Sequence, residues 1–188
     1  MKITIHQPEH FPYMGFFEKM KSADVFVILD DVQYKKNNWQ NRNKFLNKNE
    51  IEEFFSVQVE KEATKKLIKD IKVVEGPWRL KNIKKLKQNF NIDTTKIYSY
   101  NKLIDINMSS IHWAMEILNI NKPLIYSSNL SISTKGTQRL VDICKEIGAT
   151  EYISGLGGKS YLEEELFDCK ITYFKPDIKN HYSVIYNI

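Results

Sequence analysis

At 188 residues, with 42% hydrophobic and 27% charged side chains, the chain has the size and composition of one globular domain with a proper core, which excludes a wholly disordered protein. No run approaches the ~20 consecutive apolar residues of a membrane span, and the opening MKITIHQPEH lacks the apolar region of a signal peptide, so a cytoplasmic protein is expected. The net charge of +5 lies wholly in residues 1–94, where 18 basic residues face 13 acidic ones, yet Arg42, Arg79 and Arg139 are the only arginines, so no nucleic-acid binding is expected and an anionic small molecule suits the basic half better.

Ile3 and Ile5 alternating with Lys2 and Thr4 predict a first strand from Lys2 to His6, after which Pro8 and Pro12 forbid either regular structure. Helix formers run from Gly15 to Lys21, and the apolar run Val25–Leu29 has the length of a strand covered on both faces. Residues Asn37–Asn49, rich in Asn and Lys, look loop-like. Phe54–Val59 and Leu67–Val74 are strand candidates, although the apolar spacing of the second also suits a helix. Pro77 sits where a helix can begin, with Ile83, Leu86 and Phe90 forming an apolar face opposite Lys81, Lys84, Lys85 and Lys87. Ile111, Ala114, Met115 and Leu118 mark another helix and Pro123–Tyr126 a strand. Leu140, Val141, Ile143, Cys144 and Ile147 mark a third helix, stopped by Gly148. Tyr152–Ile153 and Ile171–Phe174 supply the last strands. Strands alternating with helices predict an α/β fold: a single domain over 1–188, Rossmann-like, with a mainly parallel sheet flanked by helices. Cys144 and Cys169 lack the spacing of a metal or redox motif and read as reduced thiols.

The densest polar constellation is His6-Gln7-Pro8-Glu9-His10-Phe11-Pro12-Tyr13-Met14-Gly15, between the first strand and the first helix. In a parallel sheet this is the carboxyl end of a strand, where ligands bind, and a helix N-terminus there favours anions. His10 and Gln7 lead the functional reading. The alternative is that His6 and Gln7 satisfy buried backbone groups while Phe11, Tyr13, Phe16 and Phe17 are core. Asp30-Asp31-Val32-Gln33-Tyr34 ends the second strand at the same expected edge; its carboxylates suit a general base, hydrogen bonds to sugar hydroxyls or a divalent cation, with a turn as the alternative, and convergence with the first loop favours function for at least one of the two. Trp39-Gln40-Asn41-Arg42-Asn43 sets a guanidinium and amides beside an indole. That combination can stack a base and clamp a phosphate or carboxylate, or close a loop by a salt bridge. Ser154-Gly155-Leu156-Gly157-Gly158-Lys159 can present backbone N–H groups to phosphate, although it is neither a P-loop nor a dinucleotide fingerprint. His6 and His10 stand four apart, but Pro8 denies them a shared helix, so no metal site is expected.

Gln7-Pro8, Phe11-Pro12, Gly15-Phe16-Phe17, Asp24-Val25-Phe26-Val27, Asp30–Tyr34 and Trp39–Asn43 together resemble the N-terminal signature of the WbqC-like family of bacterial surface-polysaccharide (O-antigen) biosynthesis proteins. Ser127-Ser128, Gly136-Thr137, Gly148-Ala149, Tyr152–Gly155, Gly157-Gly158 and Tyr161-Leu162 extend the resemblance over nearly the whole chain. The tail departs from it, since Tyr186 follows Ser183-Val184-Ile185 where an acidic residue is expected. The resemblance implies a role in O-antigen assembly, and with it a transferase that moves an acyl or aminoacyl group from a donor onto the amine of a nucleotide-linked sugar. On this reading His10 removes a proton from the amine and Asp30 or Asp31 orients it. His6, Gln7, Tyr13, Gln33, Trp39, Asn41, Arg42, Ser154, Gly155, Gly157, Gly158 and Lys159 bind the substrates. Two alternatives stand beside it. The strand, histidine loop, helix and second strand resemble the nucleotide-binding half of nucleotidyltransferase-like folds, the one reading that calls for a divalent cation. A non-catalytic sugar-nucleotide binder of the same pathway is the other.

Overall fold

Short strands that are apolar along most of their length gather in the first of two units into which the chain divides. The computed structural model describes Met1–Ile188; Met1–Gln7, Gly15–Asp30 and Asn121–Lys179 make one unit, and Pro8–Met14, Asp31–Ile120 and Asn180–Ile188 the other.

The first unit holds a five-stranded sheet of β1 (Lys2–His6), β2 (Val25–Ile28), β5 (Leu124–Tyr126), β6 (Glu151–Gly155) and β7 (Lys170–Phe174), in the order β5-β2-β1-β6-β7 with every pairing parallel. Side chains alternate across a strand, so Ile3 and Ile5 of β1 share a face with Val27 of β2 while Phe26 takes the other. Helix α4 (Gly136–Ile147) lays Leu140, Ile143 and Cys144 against Ile3, Ile5, Val27 and Tyr152. Helix α1 (Met14–Ser22) presents Phe16 to Phe26, ring centroids 5.0 Å apart. The two helices therefore cover opposite faces, as expected of an α/β sheet. Burying Phe16, Phe17, Phe26 and Val27 completely contributes roughly 1.5–3 kcal/mol per side chain. Gly148, at φ +70°, ends α4 in the left-handed conformation that a Cβ disfavours. Strand order reverses between β1, whose chain continues to β2, and β6, whose chain continues to β7.

The second unit is built on α2 (Trp78–Phe90), α3 (Leu103–Ile117) and an antiparallel ribbon of β3 (Arg42–Leu46) and β4 (Glu52–Ser56). Phe11, Phe45, Phe55, Ile68, Ile71, Leu86, Tyr98, Leu103 and Ile106 form its core. The fold departs from the sequence pattern at two places. The loop-like stretch Asn37–Asn49 contains β3, whose Asn43 and Phe45 point inward between half-exposed neighbours, so an amide fills one slot of the alternation. Leu67–Val74 is not a strand: Ile68–Asp70 is a single 3-10 turn, and Val73 and Lys72 make isolated bridges to Val59 and Lys102.

Candidate functional site

Because all five strands of the first unit run parallel, their carboxyl ends lie on one edge. β1 ends there at His6, β2 delivers Asp30 two residues past its end, β5 is followed by Ser127-Ser128, and β6 runs into Ser154-Gly155. The reversal between β1 and β6 puts His6-Gln7 and Ser154–Ser160 at the point where crossovers diverge, the usual ligand crevice of such sheets.

The chain has local reasons to take this shape. Thr4 of β1 donates its hydroxyl to the Ile153 carbonyl (2.7 Å), tying the two central strands together. After β6, Leu156–Ser160 coils into a short 3-10 turn that brings Gly158 onto Ser154. A Cβ at Gly158 would lie 2.2 Å from Ser154 Oγ, whereas one at Gly155 or Gly157 meets nothing within 4 Å. Gly158 thus permits the close approach, and Gly157 stays exposed. Lys159 reaches outward, its ammonium 5.0 Å from the Tyr173 ring.

His6 is half-buried, with its ring edge-on to Phe16 (5.0 Å). Burial, reinforced by the charge of Lys19, lowers its pKa to about 3. The imidazole is therefore neutral at pH 7. Its Nδ1 lies 3.0 Å from the Gln7 carbonyl, an acceptor only, so Nδ1 carries the hydrogen and Nε2 is the basic nitrogen. Lys19 lies buried on α1 with Nζ 3.3 Å from the Ile5 carbonyl. Asp30 is buried too, and its carboxylate accepts hydrogen bonds from Ser127 Oγ (3.2 Å), Ser128 N (3.0 Å) and Ser128 Oγ (2.7 Å). That makes Asp30 the anchor that fixes the turn after β5. Sequence reasoning passed over Lys19 and the paired serines as site residues. The signals were a lysine three residues after Phe16 on an apolar helix face, and two hydroxyls at the end of a predicted strand.

The remaining candidates belong to the second unit. His10 is fully enclosed, with Phe11, Phe55 and Tyr98 rings 5.1–5.7 Å away, and burial lowers its pKa to about 3. Its Nε2 pairs with Tyr98 Oη (3.1 Å) and its Nδ1 has no partner. Tyr98 takes the orienting position expected of an aspartate. Around His10 the backbone of residues 8–12 is held by four buried side chains. Asn43 Nδ2 donates to the carbonyls of His10 (3.2 Å) and Phe11 (2.8 Å), Asn107 Nδ2 to Pro8 (3.1 Å), and Ser183 Oγ to Phe11 (2.8 Å). Ser110 Oγ accepts the Phe11 N–H (3.0 Å). These contacts hold Phe11 at φ +44°, a conformation costly for a bulky residue. Tyr13 bridges to Ser183, and Gln33 ties the Thr64 carbonyl (2.7 Å). Trp39 is exposed, and Asp31 and Arg42 are partly exposed. Asn41 gives its amide to the Val57 carbonyl (3.1 Å). No group of three or more His, Cys, Asp and Glu side chains gathers in a form that would hold a metal ion. A recess of about 500 Å³ lined by Tyr100, Asp105, Met108, His112, Trp113 and Glu116 contains none of these candidates.

The WbqC-like protein family matches residues 7–187, from Gln7 just past the end of β1 through the pinned loop and the Ser154–Ser160 turn to the tail. The chain belongs to that family. The chain is 28% identical over 192 residues to the uncharacterized protein Rv1507c of Mycobacterium tuberculosis, an alignment spanning 94% of this chain and 83% of that protein. No solved structure matches the chain. No helix of the family member described here is long and apolar enough to cross a membrane.

Proposed function

We propose that this protein binds a nucleotide-linked sugar at the carboxyl edge of its parallel sheet and transfers an acyl or aminoacyl group onto the sugar's amine during surface-polysaccharide assembly. The observation that carries this reading is the meeting of His6-Gln7 with the glycine-bearing Ser154–Ser160 turn at the reversal of strand order. Backbone N–H groups of that turn, with Lys159, suit a diphosphate. Membership of the WbqC-like family supports the pathway through the resemblance described above.

The transfer forms a C–N bond between the sugar amine and the carbonyl carbon of the donor and breaks the bond to the donor's leaving group. A proton must leave the amine. His10, enclosed on all sides, is out of reach of a substrate, so we assign that proton to His6 Nε2. The low basicity of His6 belongs to the free protein, because a phosphate bound beside it favours the imidazolium. Asp30, engaged by Ser127 and Ser128, positions the edge rather than the histidine.

Turnover with a panel of UDP- and dTDP-linked amino sugars and activated acyl donors, read by mass spectrometry, tests this. The His6→Gln variant should keep sugar-nucleotide affinity within about threefold and lose roughly a hundredfold or more in kcat. Tight binding without turnover under every donor would favour a non-catalytic binder. No binding of any sugar nucleotide would reject the reading.

A further inference from the structure

The recess of about 500 Å³ belongs wholly to the second unit and shares no residue with the sheet edge. Helix α3 forms one side of it. Asp105, Ser109, His112 and Glu116 follow at four- and three-residue spacing, so they share one face of the helix and line the recess together. The segment Asp93–Tyr100 supplies the other side, and its shape is fixed by bonds of its own. Arg79 donates to the carbonyls of Tyr98 and Tyr100 (2.7 Å to the latter), and Asp93 accepts from the Thr95 N–H (2.9 Å) and hydroxyl (2.6 Å). Trp113, packed edge-on against Phe11 at 5.6 Å, and Tyr100 add aromatic rings to the lining. Two of the carboxylates are unengaged: Asp105 and Glu116 form no hydrogen bond or ion pair through their side chains. Asp105 stands in the first turn of α3, where the helix dipole favours a negative charge. Glu116 stands in the last turn, where the dipole opposes one, and no basic residue of that turn offsets it. Lys96 is the only lysine or arginine in the lining, against Asp93, Asp105 and Glu116, so the recess is anionic in a chain of net charge +5.

We infer that this recess binds a linear polyamine, an alkyl chain with an ammonium group at each end, independently of the site proposed at the sheet edge. At 1.5 Å rise per residue, Asp105 and Glu116 lie about 16 Å apart along α3. The terminal nitrogens of extended spermidine are about 11 Å apart, which leaves roughly one hydrogen-bond length at each carboxylate. Its methylenes and inner ammonium then run along Trp113 and Tyr100, whose rings attract both apolar groups and cations. A metal ion or a monoamine meets one carboxylate at a time, so the separation selects for length as well as charge. An ammonium at Glu116 also offsets the charge that the helix end disfavours.

Isothermal titration of the full-length protein with spermidine and, separately, n-butylamine tests the site, at ionic strength fixed with sodium chloride so that general screening is constant. Spermidine should bind saturably and about tenfold or more tightly than n-butylamine. Asp105→Asn and Glu116→Gln should each weaken its Kd about threefold or more, and Lys96→Gln should tighten it. Glu116→Gln separates a site from a structural role, because losing the misplaced charge should leave the ligand-free melting temperature unchanged or higher while affinity falls. Melting temperatures show whether the other variants are folded, and the gain expected of Lys96→Gln cannot arise from unfolding. The inference is overturned if spermidine does not bind saturably, if n-butylamine binds as tightly, or if the Asp105 and Glu116 variants both bind like the parent.

Discussion

His10 is neutral because an imidazolium among Phe11, Phe55 and Tyr98 would have to shed its hydration for ring faces and one phenol. It is fully buried and pairs with Tyr98, so His10→Ala removes a core side chain. It should cost about 2–4 kcal/mol in denaturant unfolding, the range for truncating a large buried side chain. The same burial makes stability depend on pH in a definite direction. The folded value of about 3 lies below the ~6.5 of an unfolded chain, so the unfolded chain takes up the proton first as pH falls. The stabilisation is complete above about pH 6.5 and drains away towards pH 3, at roughly 1.4 kcal/mol per pH unit. His6 adds to this in the same direction, less strongly because it retains some contact with solvent. Between pH 7 and 5, before carboxylates titrate, unfolding free energy should fall, and His10→Gln should flatten that fall. An unchanged slope in the variant would contradict the neutral, buried state of His10.

At the scale of elements, the turn after β6 and the loop after β1 owe their shapes to different devices. The turn depends on one missing Cβ. Gly158→Ala should cost about 1–3 kcal/mol and disturb ligand binding, since Ser154 Oγ stands 2.2 Å from the added atom, while Gly157→Ala should be close to neutral. Equal effects at the two positions, measured by melting temperature, would contradict this account of the turn. The loop depends on Asn43, Asn107, Ser110 and Ser183, drawn from residues far apart in the chain. Its prolines announced an irregular segment in the sequence, but nothing local announced the side chains that fix it. Likewise β1, α1, β2, α4, β6 and β7 were legible because their apolar periods are uninterrupted. β3 was not, because Asn43 occupies an inward slot for the sake of two carbonyls. Leu67–Val74 misled because Ile68 and Ile71 are buried by a single 3-10 turn whose spacing mimics longer elements.

For the molecule as a whole, the parallel sheet with reversal between β1 and β6 is what turns separate motifs into a candidate site. Alternating strand and helix patterns imply the fold class, but strand order is set by tertiary pairing, so His6-Gln7 and Ser154–Ser160 could not be joined beforehand. Nor could sequence separate a histidine at a strand end from one sealed in a core four residues later, because His6 and His10 sit in the same polar cluster. The most direct test of the central claim, that the carboxyl edge binds the sugar nucleotide, is backbone amide chemical-shift mapping by NMR during titration with a UDP-linked amino sugar. Saturating perturbations should centre on Gln7, Ser128, Gly155, Gly157 and Lys159. Saturable binding that leaves these amides unmoved would contradict it.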